Sequence, residues 1–229
     1  MEKRALLIFA DSAHTDCKRR GWPCAFRILL ETLNLSFEGN QGFDLHLFTT
    51  GGFHRFASPS LQVHFQEGAS FGQKLENAIE SLTCLGYQEI VIVGSDCPDL
   101  DQSDIVRAFD LLRQHCLVIG SDHRGGCYLI GIHAKDRGML QGIHWRRNTD
   151  FRQIVGRFAH GLVYELPIKI DLDTLEDIRL LAASESPFRI VAGALLNSIS
   201  RQVFFESSSF RLRSREERIH WQLPPPFLA

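Results

Sequence analysis

No apolar run in this 229-residue sequence approaches the roughly 18 residues that a membrane-crossing helix needs. The opening run, Ala5 to Ala10, is also shorter than the ~7–15 residues of a secretory signal core, and Asp11 ends it. It reads as a first strand. Charge of one sign is not in excess: 25 Lys and Arg face 27 Asp and Glu, for a net charge of −2. A protein that wraps nucleic acid needs a basic stripe, and none is present. The six cysteines form no CxxC pair and no Cys/His spacing of a zinc site, so neither a zinc framework nor an evident disulfide scaffold is encoded. Reduced thiols in a cytoplasmic protein are the expectation. GxSxG, Walker A, GxGxxG and HExxH are all missing, which removes the common serine-hydrolase, P-loop, dinucleotide and zincin signatures. Internal repeats and long linkers are missing too.

What remains is an ordinary globular composition, 44% apolar and 23% charged. Arg4 to Ala10, Glu89 to Val93, "CLVIG" (116–120) and "CYLIGIH" (127–133) are short apolar runs typical of buried strands. "FDLHLFTT" (43–50) alternates, "VHF" (63–65) is a further short strand, and "LVYEL" (162–166) another. Between them, apolar residues recur at helical spacing: Phe26, Leu29, Leu30 and Leu33; Phe71, Leu75, Ala78, Ile79 and Leu82; Ile105, Val106, Phe109 and Leu112; Phe151, Ile154, Val155 and Phe158. Strands alternating with helices predict an α/β fold with a mainly parallel sheet flanked by helices. We expect one domain over 1–184 and an extension over 185–229. The extension starts with a helix opened by Pro187 and ends in the extended Pro224-Pro225-Pro226. It is the candidate surface for a homodimer.

Two acidic clusters and a few basic ones stand out as candidate chemistry. In "IVIVGSDCPDL" (90–100) a buried strand runs through Gly94 into Asp96, Pro98 and Asp99. Ligands of parallel sheets bind beyond the carboxyl ends of the strands. A carboxylate there either holds Mg²⁺ or Mn²⁺ or bonds the amides of a turn, and the residues alone leave both open. Asp101 is a plausible cap of the next helix, with Asp104 in its first turn. In "DLDTLEDIRLLAA", Asp171 and Asp173 share one face of an extended segment, where they repel unless a cation or a basic group lies between them; Asp173 or Thr174 caps the helix that follows. Gly125-Gly126 either lets backbone approach a ligand or simply turns a hairpin. Lys18-Arg19-Arg20 and Arg146-Arg147 are either phosphate contacts or solvated surface. His14, His144 and Trp145 lie in loops that face a pocket on this reading.

Taken as a set and in order, "ALLIFA" at the first strand, "QEGASFGQKLENAI" (66–79), "VIVGSDCPDL" (91–100), "IGSDHRGGCYLIGI" (119–132), "GIHW" (142–145) and "DLDTLEDIRLL" (171–181) resemble the GT-A-like nucleotide-diphospho-sugar transferases. The likeness is to the bacterial group labelled radical-SAM/selenodomain-associated transferases, and covers roughly residues 4–183. It implies a single GT-A-like domain with a Rossmann-like nucleotide-binding half. It implies Asp96 and Asp173 as the catalytic, metal-binding pair with Mg²⁺ or Mn²⁺. It implies Arg19, Gly94, Gly125, Gly126 and Trp145 as nucleotide or substrate contacts. The partner would be a nucleotide sugar or a nucleotide, and the reaction sugar transfer. Nucleotidyl transfer, or a non-catalytic binding module, is the alternative. The chain departs from the family pattern in two loops. Thr15-Asp16 stand where the family has Pro-Gly, with Arg19 in place of its lysine. Arg124 stands where an acid directly precedes Gly-Gly, and Cys127 where an aromatic follows.

Overall fold

The computed structural model describes residues 2–12, 15, 42–51 and 60–197. The apolar stripe at 26–33, His14, Lys18-Arg19-Arg20 and the tail beyond 197 lie outside these residues. Strands β1 (Arg4–Ala10), β2 (Asp44–Thr49), β3 (Leu61–Phe65), β4 (Glu89–Val93), β5 (Leu117–Asp122), β6 (Cys127–His133) and β7 (Val163–Lys169) form one sheet in the order β3-β2-β1-β4-β6-β5-β7. The pairs β1–β2, β1–β4, β2–β3 and β5–β7 are parallel. Strand β6 runs antiparallel to both its neighbours, because a hairpin of four residues joins it directly to β5. Helices α1 (Phe71–Cys84), α2 (Gln102–Leu112), α3 (Asp150–Val155) and α4 (Leu175–Ala183) and a 3₁₀ helix (Ala134–Leu140) accompany the sheet.

Period-two alternation explains the continuous apolar runs. On β1, Leu6, Ile8 and Ala10 join one apolar cluster with Ile105, Ala108, Phe109 and Leu112 of α2. The intervening Ala5, Leu7 and Phe9 join a second cluster with Leu75, Ala78, Ile79 and Leu82 of α1 and Ile154 of α3. Both faces of the sheet are therefore covered, and its central strands have no polar face to show. Strand β2 lies within the alternating stretch 43–50 that the sequence reads as a strand; along it His46 is fully buried and only Asp44 is exposed. A side-chain chain replaces water there. Tyr87 Oη donates to Asp44 Oδ2 (2.6 Å), so its oxygen accepts from His46 Nε2 (2.8 Å). That leaves His46 Nδ1 to accept from His64 Nε2 (3.0 Å).

Strand β7 also runs further than its sequence implies, past Pro167 to Lys169. It is an edge strand, and the register slips between Gly120↔Leu166 and Asp122↔Lys169, so Pro167 falls in a bulge where no ladder N–H is required. Helix α2 starts as the sequence predicts. Asp101 accepts from the Asp104 amide (3.0 Å) while Asp104 accepts from the Asp101 amide (3.1 Å). Lys169 Nζ reaches the Asp104 carboxylate (2.7 Å) and the Asp99 carbonyl (2.6 Å), tying the end of β7 to this helix start.

The chain divides into two compact units, 1–177 and 178–229. In the described part of the second, Ser186 Oγ accepts from Phe188 N (3.1 Å) ahead of a helix over 189–197, on which Ala192 and Leu195 are buried. Among the described residues no helix is long and apolar enough to cross a membrane.

Candidate functional site

Three parallel strands, β1, β4 and β5, end on the same side of the sheet, and β6 starts there. Their ends surround a cavity of about 400 Å³. Phe9, Ala10 and Asp11 come from β1 and its exit. Val93, Gly94, Ser95 and Asp96 come from β4. Asp122 ends β5, and Gly126, Cys127 and Tyr128 open β6. Trp145, Arg146, Asn148 and Asp150 arrive on the loop before α3, and Asp171 and Asp173 on the loop after β7. Asp96, Asp173, Gly94, Gly126 and Trp145, all singled out in the sequence, thus line one cavity. Gly125 stands one residue behind it. Arg19 is outside the described residues.

The hairpin at 122–126 is built around the buried carboxylate of Asp122. Its Oδ1 accepts from the amides of Arg124 (2.7 Å) and Gly126 (2.8 Å). A Cβ on Gly126 would stand 2.5 Å from Asp122 Oδ2, and one on Gly125 (φ +97°) 2.5 Å from the Asn148 carbonyl. Of the two alternatives of the sequence reading, the hairpin turn is the one seen. The glycines turn a hairpin, and they let backbone and carboxylate approach closely. Phe151 N donates to Gly125 O (3.2 Å), which fastens the Trp145–Asp150 loop to the hairpin.

That loop is strained. Arg146 and Asn148 both adopt left-handed backbone, at φ +62° and +57°. Asp150 Oδ2 accepts from the Arg146 amide (3.1 Å) and helps hold the turn. The Arg146 guanidinium lies over the Phe71 ring (4.4 Å) and 3.7 Å from Asp11. Burial raises the Asp150 pKa above the usual carboxylate range, Asp122 adds to this, and the amides of Arg146 and Arg147 oppose it. Asp150 Oδ1 and Trp145 Nε1 are buried without a hydrogen-bond partner among the described residues. Burial pushes the Cys127 thiol far up, which favours its neutral form where it lines the cavity.

The late acidic loop meets a basic group at Asp173 and Asp177. The Arg124 guanidinium bonds Asp173 Oδ2 through one terminal nitrogen and lies 3.2 Å from Asp177 Oδ2 through the other. His123 Nε2 stands 3.0 Å from Asp177 Oδ1. Asp177 also accepts from the Asp173 amide (2.9 Å) and the Thr174 amide (2.6 Å), and Thr174 Oγ1 receives the Asp177 amide (3.4 Å), so Thr174 caps α4. Asp173 is thus held in an ion pair with the residue that replaces the family's acid before Gly-Gly. Among the described residues no three of His, Cys, Asp or Glu converge as a metal cage. The donor set at the cavity offers Asp96, whose Oδ1 accepts from Ser95 Oγ (3.2 Å), together with Asp171 and Asp173. It does not fit a cage that uses Asp173 as it stands. Sequence reasoning missed Asp11, Asp122, Asp150 and Arg124 as parts of the site. For Arg124 the departure from the family's acid is the signal that was present.

Residues 35–147 match a sequence family described as "uncharacterized protein conserved in bacteria (DUF2064)". Comparison with curated proteins finds no match. Among solved structures, the chain is similar to a Desulfovibrio desulfuricans protein described as an inferred nucleotide-diphospho-sugar transferase, with a TM-score of 0.71 and 22% identity, covering 88% of this chain and 96% of that one. It is similar to 4-diphosphocytidyl-2C-methyl-D-erythritol synthase of Anaerococcus prevotii (TM-score 0.52, 12% identity, 78% and 94% covered). The Mycobacterium tuberculosis protein Rv0371c, solved in complex with manganese, gives a TM-score of 0.50 at 16% identity over 78% and 97% of the two chains. The fold is therefore that of the nucleotide-diphospho-sugar transferases, the GT-A-like α/β fold expected from the sequence, in a divergent form.

Proposed function

We propose that this protein transfers a sugar from a nucleotide-diphosphate donor bound in the cavity beyond β1, β4 and β5. The observation that carries the reading is the convergence of the "GSD" end of β4, the Gly125-Gly126 hairpin and the Asp171–Asp173 loop on one cavity at the carboxyl ends of parallel strands. In such a transfer the bond from the sugar's anomeric carbon to the phosphate oxygen breaks and the diphosphate leaves with the electron pair. The acceptor hydroxyl forms the new bond and gives up its proton. Among the described residues, Asp11, Asp96, Asp122, Asp150, Asp171 and Asp173 line the cavity with Arg146 as the one basic residue, so a diphosphate enters this part of it most favourably with a cation. Mg²⁺ or Mn²⁺ carried with the donor would sit at Asp96 and supply charge neutralisation for the leaving diphosphate. Gly94 and Gly126 present backbone to the donor, and Trp145 offers it a ring. The C-terminal extension is the candidate homodimer surface.

Nucleotidyl transfer is the second reading, supported by the likeness to 4-diphosphocytidyl-2C-methyl-D-erythritol synthase. A thermal-shift panel of nucleoside diphosphates, triphosphates and nucleotide sugars, each with and without Mn²⁺, separates the two. A ligand at 100 times its Kd stabilises by about 2.7 kcal/mol, which for a chain of this size raises Tm by roughly 5–10 °C. Nucleotide sugars and diphosphates are expected to give that shift with Mn²⁺. Preference for a triphosphate favours the second reading. No shift with any nucleotide sinks both.

A further inference from the structure

We infer that Arg124 is a built-in cation that occupies the late acidic loop and denies Asp173 to divalent metal, so that this chain binds metal through Asp96 without Asp173. The argument is one of charge and connectivity. Asp173 and Asp177 are four residues apart on a tight loop, and Asp177 is buried at 1% side-chain exposure. Two carboxylates this close need positive charge nearby. The Arg124 guanidinium supplies it to both with its two terminal nitrogens, and it is itself only 22% exposed. A planar guanidinium is always protonated and matches paired carboxylates in a fixed fork, so it does not release them on a change of pH as a histidine would. Its backbone cannot easily retreat either. The Arg124 amide is held by Asp122, and the Asp173 amide by Asp177. A divalent ion approaching Asp173 therefore meets a neutralised oxygen and a fixed positive charge beside it. Removing the guanidinium takes its positive charge from both Asp173 and Asp177, which favours recruitment of a cation, while Asp177 keeps its bonds from the Asp173 and Thr174 amides.

This assignment deepens the reading of the cavity as a metal-assisted donor site, but its test uses Mn²⁺ alone and stands or falls without any nucleotide. Mn²⁺ binding is measured by the loss of the free-ion electron paramagnetic resonance signal on the full chain. Asp173→Asn is expected to leave Mn²⁺ affinity within twofold of wild type. Arg124→Gln is expected to raise it at least tenfold, and Arg124→Gln with Asp173→Asn to return it to the starting level. Arg124→Lys, which keeps the charge, is expected to gain less than threefold. It serves as the readout if the glutamine variant does not fold by circular dichroism. The inference is overturned if Asp173→Asn alone weakens Mn²⁺ binding severalfold, if Arg124→Gln gains nothing, or if Arg124→Lys gains tenfold.

Discussion

The main-chain N–H of Leu172 donates to the carbonyl oxygen of Asp96 across 2.9 Å. This bond joins the two acidic motifs of the chain. It sets the Asp171–Asp173 loop beside the end of β4, and the Leu172 side chain between the two acids is fully buried beneath it. Alternation in an extended segment then turns Asp171 and Asp173 toward the same side, where both line the cavity.

Leu172 is accordingly a structural pin. Leu172→Ala is expected to cost about 2–5 kcal/mol in denaturant unfolding, the range for truncating a fully buried leucine. It is also expected to reduce the nucleotide-induced thermal shift, because the loop loses its anchor. An unchanged unfolding midpoint would contradict the pinning role.

Asp96 and Asp101 lie five residues apart and separate ligand binding from helix capping. Asp101→Ala removes the side-chain half of the capping box and is expected to cost ~1 kcal/mol while nucleotide-induced shifts persist. Asp96→Ala is expected to keep the unliganded midpoint near wild type and abolish the shift with nucleotide and Mn²⁺. Thermal unfolding of both variants with and without ligand reads out the pair, and the opposite pattern would exchange their roles.

Two glycines are required for space. A Cβ at Gly120 would fall 2.3 Å from Tyr128 Cζ, in a ring that is buried and fixed by its hydroxyl on the Pro167 carbonyl (2.8 Å). Gly120→Ala is expected to destabilise by about 1–3 kcal/mol or more through overpacking. Gly126→Ala drives against the Asp122 carboxylate and is expected to cost about 1–3 kcal/mol as its amide bonds are lost. Chemical denaturation measures both, and a midpoint unchanged in either would show that the hairpin yields.

The pairing of buried His46 with half-buried His64 is expected to make stability fall in acid. Burial first, then the neighbouring His64, lowers the His46 pKa from 6.5 to about 4. Between these values the unfolded chain binds a proton that the folded one refuses. Stability therefore rises with pH through this window and is lost as pH falls from about 6.5 toward 4, by an amount on the order of 3 kcal/mol. Burial lowers the His64 pKa as well, which adds loss of the same sign. His46→Gln is expected to flatten the dependence in urea melts taken across this range; a slope equal to wild type would assign it elsewhere.

Much of the fold was legible in local sequence. Strand β1 and helices α1 and α2 lie where apolar period and capping residues put them, because those signals act between residues a few positions apart. The burial of His46 on β2 was not legible, because covering both faces of a strand is a property of the whole sheet. The run of β7 past Pro167 was not legible, because tolerance of that proline depends on β7 being an edge. The motif acids were legible individually, and their order carried the family likeness. Their pairing was not: sequence by itself determined that Asp171 and Asp173 would need a compensating charge, and the tertiary structure decided that Arg124, 49 residues away, provides it for Asp173. Electrostatic repulsion is written in local spacing, but which cation relieves it depends on how the sheet brings a hairpin and a distant loop to the same end.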